Sequence, residues 1–164
     1  MFSHGHLDSG TAFLLQQAPP PPETGTFVDV GCGAGPIALT LALRAPQAEI
    51  IAVDPNARAR ELTAANAETN EVGIRTLHPD DVPDDMTVDL IWSNPPIRIG
   101  KAALRDLLNT WLQKLSKGGL AILVVNRHLG ADSLQRWLKE EGWLVERLGS
   151  RAGFRLLSVR HQPA

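Results

Sequence analysis

The stretch Phe27-Val28-Asp29-Val30-Gly31-Cys32-Gly33-Ala34-Gly35-Pro36 decides the fold. An apolar run of strand character breaks at three glycines spaced two apart, and the proline that follows opens a helical pattern ending at Arg44. Proline suits a first helical turn, where its missing N–H would be unpaired in any case. Glycine belongs where the backbone turns sharply or approaches a ligand too closely for a β-carbon. A strand that runs through a glycine loop into a helix is the unit with which a doubly wound α/β sheet holds a nucleotide-like ligand.

Working outward, apolar runs alternate with helical patterns. Thr26–Gly31, Glu49–Val53, Ile74–His78, Val88–Ser93 and Leu120–Val125 read as strands, several apolar on both faces as a helix-covered parallel sheet requires. Helices are expected at 10–17, 36–44, 56–70, 101–115 and 133–141. In the fourth, Leu104, Leu107, Leu108, Trp111, Leu112 and Leu115 share one face and read as a core stripe. Trp143–Leu148 and Phe154–Arg160 are strand-like runs joined by Gly149–Gly153, short enough for a hairpin. The expectation is one α/β domain over 1–164: a Rossmann-like, doubly wound, seven-stranded sheet with a C-terminal antiparallel hairpin. Pro19–Pro22 must be extended and separates residues 1–22 from the core at 23–164.

Composition narrows the function classes. The 164 residues carry a net charge of −2, with one cysteine, Cys32. That count excludes an intrachain disulfide and a Cys-rich zinc site, and fits a reducing, cytoplasmic setting. The longest strongly apolar run, Leu120–Val125, is too short to span a bilayer, and the N-terminus lacks a signal peptide's basic and apolar segments. Neither a membrane nor a metal is expected as a partner. The charge is unevenly divided: residues 1–97 hold four Lys/Arg against thirteen Asp/Glu, whereas residues 98–164 hold twelve against five. Such asymmetry marks a face for an anionic partner, or solvated faces that cancel in three dimensions.

The second chemical signal is Ser93-Asn94-Pro95-Pro96-Ile97 at the end of a buried strand. An asparagine amide oxygen and the carbonyl of Pro95 can each accept from one exocyclic amine, and the prolines stiffen the backbone. Asp54, one residue past the second strand, stands where a carboxylate accepts from both hydroxyls of a ribose; its other role would be to cap the next helix. Asp81 follows the third strand and is placed to accept from an adenine amine, with Asp80 equally placed. Pro36 stands where the dinucleotide fingerprint wants a third glycine, which removes an amide that a pyrophosphate would need and favours the phosphate-free S-adenosylmethionine. Arg98 and Lys101 lie just beyond the amine site and are candidates for phosphate contacts. Arg127 and His128 follow the fifth strand. His4 and His6 lack a third metal ligand, and Cys32 reads as a small residue in a tight loop.

Together these residues resemble the small-domain family of class I methyltransferases, most closely the catalytic half of bacterial small-subunit ribosomal RNA guanine-N2 methyltransferases. The resemblance runs nearly end to end, from Phe2-Ser3 and Leu7-Asp8-Ser9-Gly10-Thr11 through the glycine loop, Asp54, Asp81 and Asn94-Pro95-Pro96 to Gly153-Phe154-Arg155. It implies S-adenosyl-L-methionine as cofactor, S-adenosyl-L-homocysteine as product, and a segment within 1–22 that lies over the cofactor. Cofactor contacts are implied for Phe2, Asp8, Gly10, Thr11, Asp29, Gly31, Cys32, Gly33, Gly35, Asp54, Asp81, Val82 and Asn94. Catalysis is implied for Asn94, Pro95, Pro96 and Ile97, and RNA contact for Arg98 and Lys101. The implied partner is RNA, ribosomal RNA or a ribosomal subunit. One departure is Ile97, where amino-methyltransferases often carry Phe or Tyr to stack on the target ring; this disfavours DNA adenine and protein glutamine. A small molecule, a protein amide or a non-catalytic cofactor-binding subunit are the alternative readings.

Overall fold

The Thr26–Val30 run forms strand β1 and pairs in parallel with β2 (Glu49–Val53) on one side and with β4 (Val88–Ser93) on the other. The computed structural model, which describes residues 7–163, adds β3 (Arg75–Leu77), β5 (Leu115–Asn126), β6 (Leu144–Arg151) and β7 (Phe154–Arg160). The sheet order is β3-β2-β1-β4-β5-β7-β6, with β7 antiparallel to both neighbours. The chain builds outward from β1 in one direction through β3, then crosses back to lay β4 on its other side. That reversal leaves a crevice at the carboxyl ends of β1 and β4, the usual ligand position in such sheets.

Helices cover both faces because both are apolar. On one side α1 (Ser9–Gln17) and α2 (Pro36–Arg44) bury Phe13, Leu14, Ile37, Ala38 and Leu41 against Phe27, Trp92, Ile122 and Leu156. On the other, α4 (Lys101–Leu112) and α5 (Ala131–Glu140) bury Leu104, Leu108, Trp111, Leu134 and Leu138 against Val28, Ile91, Leu123 and Leu157. The alternation of Leu156 and Leu157 between the two clusters is the two-residue period of a strand buried on both faces. The remaining helix, α3 (Ala57–Thr69), lies beside α2. Among the described residues no helix is long and apolar enough to cross a membrane.

Three expected boundaries move. Strand β5 starts at Leu115, five residues before its apolar run, because Leu115 pairs with Val88 while the polar Ser116–Gly119 segment absorbs a register shift. The fourth helix consequently ends at Leu112. The expected five-residue hairpin loop is only Ala152-Gly153, both at positive φ (50° and 84°), and Arg151 pairs directly with Phe154. Two positive-φ residues match the twist of the flanking strands, so the strands extend to the turn.

Leu14 is fully buried and carries α1 onto the sheet. Leu14→Ala removes that contact and should cost about 2–5 kcal/mol, read as a lower urea midpoint at unchanged slope.

Candidate active site

The glycine loop is held from three sides. Its entry amides, those of Gly31 and Cys32, both donate to the carbonyl of Val53 at the end of β2, at 2.8 and 3.1 Å. Asp54 follows directly, and its Oδ2 accepts from the Gly33 amide at 3.1 Å while Oδ1 accepts from Asn56 N at 2.9 Å. The cap of α3 is Asn56, so Asp54 is left as a brace for the loop. From below, the Thr63 hydroxyl donates to the Gly33 carbonyl at 2.9 Å and Asn66 Nδ2 to the Ala34 carbonyl at 3.0 Å. Thr63 sits so close that a β-carbon on Gly35 would lie 2.8 Å from it, and Gly35 has φ +92°. Only glycine fits there.

Asn94 stands across the crevice. Ser93 Oγ donates to the Val30 carbonyl at 2.6 Å and so ties the ends of β4 and β1 together. The Asn94 amide nitrogen then donates to Asp8 Oδ2 at 2.9 Å and to Thr11 Oγ1 at 3.2 Å. The same Asp8 oxygen accepts from Thr11 N and caps α1. With its nitrogen committed, Asn94 has its carbonyl oxygen left to accept from a ligand. Gly10 completes this contact, since a β-carbon there would meet the Phe154 ring at 2.8 Å.

Between the two loops lies a cavity of about 310 Å³ lined by Val30, Gly31, Gly33, Val53, Asp54, Pro55, Pro79, Asn94, Pro96, Ile99, Leu107 and Trp111. Glycine loop, Asp54, Asn94 and Pro96 therefore meet at one cavity, as the sequence reading requires. Other expected residues fall elsewhere. Asp81 is exposed in the short helix Pro79–Asp81, and Pro79 lines the cavity in its place. Val82 packs against the core. Ile97 lines a separate cavity of about 80 Å³ with Lys101, Leu104, Arg105 and Leu129, while Ile99 takes the position beside Asn94. The side chain of Cys32 turns into the core, and Pro95 is buried. Arg98 and Lys101 are both exposed, and neither lines the larger cavity. Phe2, with His4 and His6, lies outside the described residues. The core stripe of α4 is as expected, with Leu104, Leu108, Trp111, Leu112 and Leu115 buried and Leu107 packed against them, and two of its residues, Leu107 and Trp111, also form part of the cavity wall. Thr63 and Asn66 went unrecognised in the sequence, where their only signal was two polar residues three apart on an otherwise Ala-rich helix.

Burial sets the charges. Asp29 is fully buried; its Oδ2 accepts from Ala38 N at 3.1 Å and its Oδ1 has no partner among the described residues. Desolvation, reinforced by the nearby Asp54 carboxylate, pushes its pKa up to about 7. Burial likewise pushes the Cys32 thiol up to about 12, and Asp29 adds to the effect, so Cys32 is no nucleophile. Asp29 holds a proton in the fold that it loses near pH 3.8 when unfolded. The stability tied to this proton is full below about pH 4 and is lost as pH rises toward about 7. Asp29→Asn should remove that slope in denaturant midpoints taken across the range. Parallel curves for the two proteins would show that Asp29 does not titrate there.

The chain has counterparts among known proteins. The family model for the methyltransferase small domain matches residues 1–158. The Bacillus subtilis (strain 168) protein YbxB is 30% identical over 164 residues, covering 98% of this chain and 82% of its own length. Ribosomal RNA small subunit methyltransferase C of Pseudomonas syringae pv. syringae (strain B728a) is 32% identical over 165 residues, and the chain spans 48% of it. Among solved structures, the Thermus thermophilus 16S rRNA N2 G1207 methyltransferase, in complex with AdoMet and guanosine, superposes with TM-score 0.81 at 24% identity over 98% of this chain and 45% of its own. A Pyrococcus furiosus methyltransferase gives 0.78 at 17% identity, over 97% and 86%. The match over nearly the whole chain, with the glycine loop and Asn94 brought to one cavity, makes this protein a member of the methyltransferase small-domain family.

Proposed function

We propose that the chain transfers a methyl group from S-adenosyl-L-methionine to the exocyclic N2 of a guanine in RNA, with ribosomal RNA as the substrate. The observation that carries the reading is the Asn94 amide, whose nitrogen is held by Asp8 and Thr11 so that its oxygen is the group left to grip an amine. The relatives that act on ribosomal RNA support the choice of substrate.

The cavity fits the cofactor. Val30, Val53, Pro79, Leu107 and Trp111 offer apolar surface to a flat base, and the Asp54 carboxylate sits among them for a diol. Bound S-adenosylmethionine supplies an electrophilic methyl group and departs as S-adenosyl-L-homocysteine. Asn94 Oδ1 and the Pro95 carbonyl accept the two amine protons, which localises the nitrogen lone pair and fixes its direction. The amine nitrogen becomes acidic only as it gains its bond to carbon, so no general base is needed before attack. A guanine in a loop leaves its stack at lower cost than one in a helix.

The direct test is incubation with tritiated cofactor and ribosomal RNA followed by nucleoside mass analysis. Label in N2-methylguanosine supports the reading, and label confined to protein or small molecules overturns it. Within that assay Asn94→Ala should lower kcat on the order of a hundredfold while cofactor affinity changes little, because the amide acts on the transition state. Arg98→Ala with Lys101→Ala should weaken RNA binding and flatten its salt dependence by roughly 0.7 per lost phosphate contact. Equal slopes would make these two ordinary surface charges.

A further inference from the structure

A second basic site lies beyond α5. Arg155 follows Phe154 on β7, and alternation sends the two to opposite faces: Phe154 packs toward α1, while Arg155 turns to α5. Its side chain is only 6% exposed, which is costly for a charge unless it is paired. It is ion-paired with Asp132 and donates to Gln135 Oε1 at 3.3 Å, yet its Nε has no partner among the described residues.

The neighbouring strand is shaped to meet it. On β6, Arg147 lies opposite Leu157 and Gly149 opposite Leu156, so Leu148 is an extra residue that breaks the alternation. This bulge puts Arg147 and Ser150 on the same face as Arg155, where both Nε and Nη2 of Arg147 donate to Ser150 Oγ at 3.2 and 2.9 Å. Across from them α5 presents Arg136 and Lys139. Together with Asp132 and Gln135 they line an open cleft of about 390 Å³. Four cations face one carboxylate, and Arg155, then Arg147 and Arg136, hold Asp132 below the ordinary carboxylate range.

We propose that this cleft binds a backbone phosphate of the RNA, away from the methylated nucleotide. The inference rests on the RNA reading above. Guanidinium forks match phosphate oxygens in pairs, and Arg147 is already held in place by Ser150. Arg155 pairs with Val125 on β5, the neighbour of β4, so its strand lies two strands, roughly 10 Å, along the sheet from the Asn94 strand, and the cleft extends beyond it to β6.

The test measures binding of the full chain to a single-stranded RNA of about 20 nucleotides at several salt concentrations. The variant Arg136→Gln, Lys139→Gln, Arg147→Gln should bind about tenfold or more weakly at low salt, with a slope flatter by roughly 0.7 per lost contact. Its melting temperature and cofactor affinity should be unchanged. Asp132→Asn should act oppositely and tighten RNA binding severalfold, a sign that a purely structural pair would not give. Unchanged slopes in the triple variant, with the Arg98 and Lys101 pair still salt-sensitive, would overturn the cleft and leave the RNA reading intact. If the unmodified chain binds no RNA, the RNA reading falls and the cleft with it. Loss of binding to polyglutamate but not to RNA would assign the cleft to an acidic protein instead.

Discussion

The glycine loop after β1 has no long side chain with which to hold itself, and the surrounding structure is arranged around that fact. Val53 fixes its entry, Asp54 braces Gly33 from the ligand side, and Thr63 and Asn66 take its carbonyls from below. These bonds come from β2 and α3, so the loop takes shape only when two further elements have docked. The benefit is a backbone free of β-carbons at the crevice, preorganised before a ligand arrives. Asp29 carries the cost, as a fully buried carboxylate with one bond where it could accept several.

A single carboxylate oxygen couples the other half of the site to the N-terminal helix. Asp8 Oδ2 accepts from Thr11 N, which starts α1, and from Asn94 Nδ2, which orients the amine grip. The cap and the Asn94 amide therefore share one acceptor. A helix outside the alternating βα core thus helps to set the orientation of the Asn94 amide, through its cap and through the close packing of Gly10 on Phe154. The packing of Leu14 and Phe13 on the sheet keeps that oxygen in place.

Much of this was legible in the sequence. All seven strands and their order class followed from two-faced apolar runs and a terminal hairpin, because burial on both sides leaves a composition signal that no loop imitates. The glycine loop, Asp54 and Asn94 were legible because their chemistry needs those residue types at strand ends. The positions that escaped are set by tertiary contacts. Nothing local distinguishes Pro79 from Asp81 as a cavity wall, or Ile99 from Ile97 as the neighbour of Asn94; a short helical turn after each strand decides both. The α4 stripe is core as its period indicates, and that Leu107 and Trp111 also wall the cavity was not legible because the same apolar period serves a sheet and a cavity alike. Leu148 was invisible as a bulge, since an extra residue alters pairing and not composition.

The division of charge along the chain also acquires a physical meaning in three dimensions. The acidic first half supplies the β1–β3 side and its loops, where Asp54 faces the cavity. The basic second half supplies α4, α5 and the β6–β7 hairpin, whose cations face outward from the sheet's other end. Arg105 lies 5.2 Å over the Trp137 ring and so bridges α4 to α5. Such a separation places negative potential where a cationic ligand sits and positive potential where a polyanion would approach. On the proposed function, in which a sulfonium and a phosphate backbone are held at once, a molecule near neutrality overall gains from carrying its acidic and basic halves on different edges of one sheet.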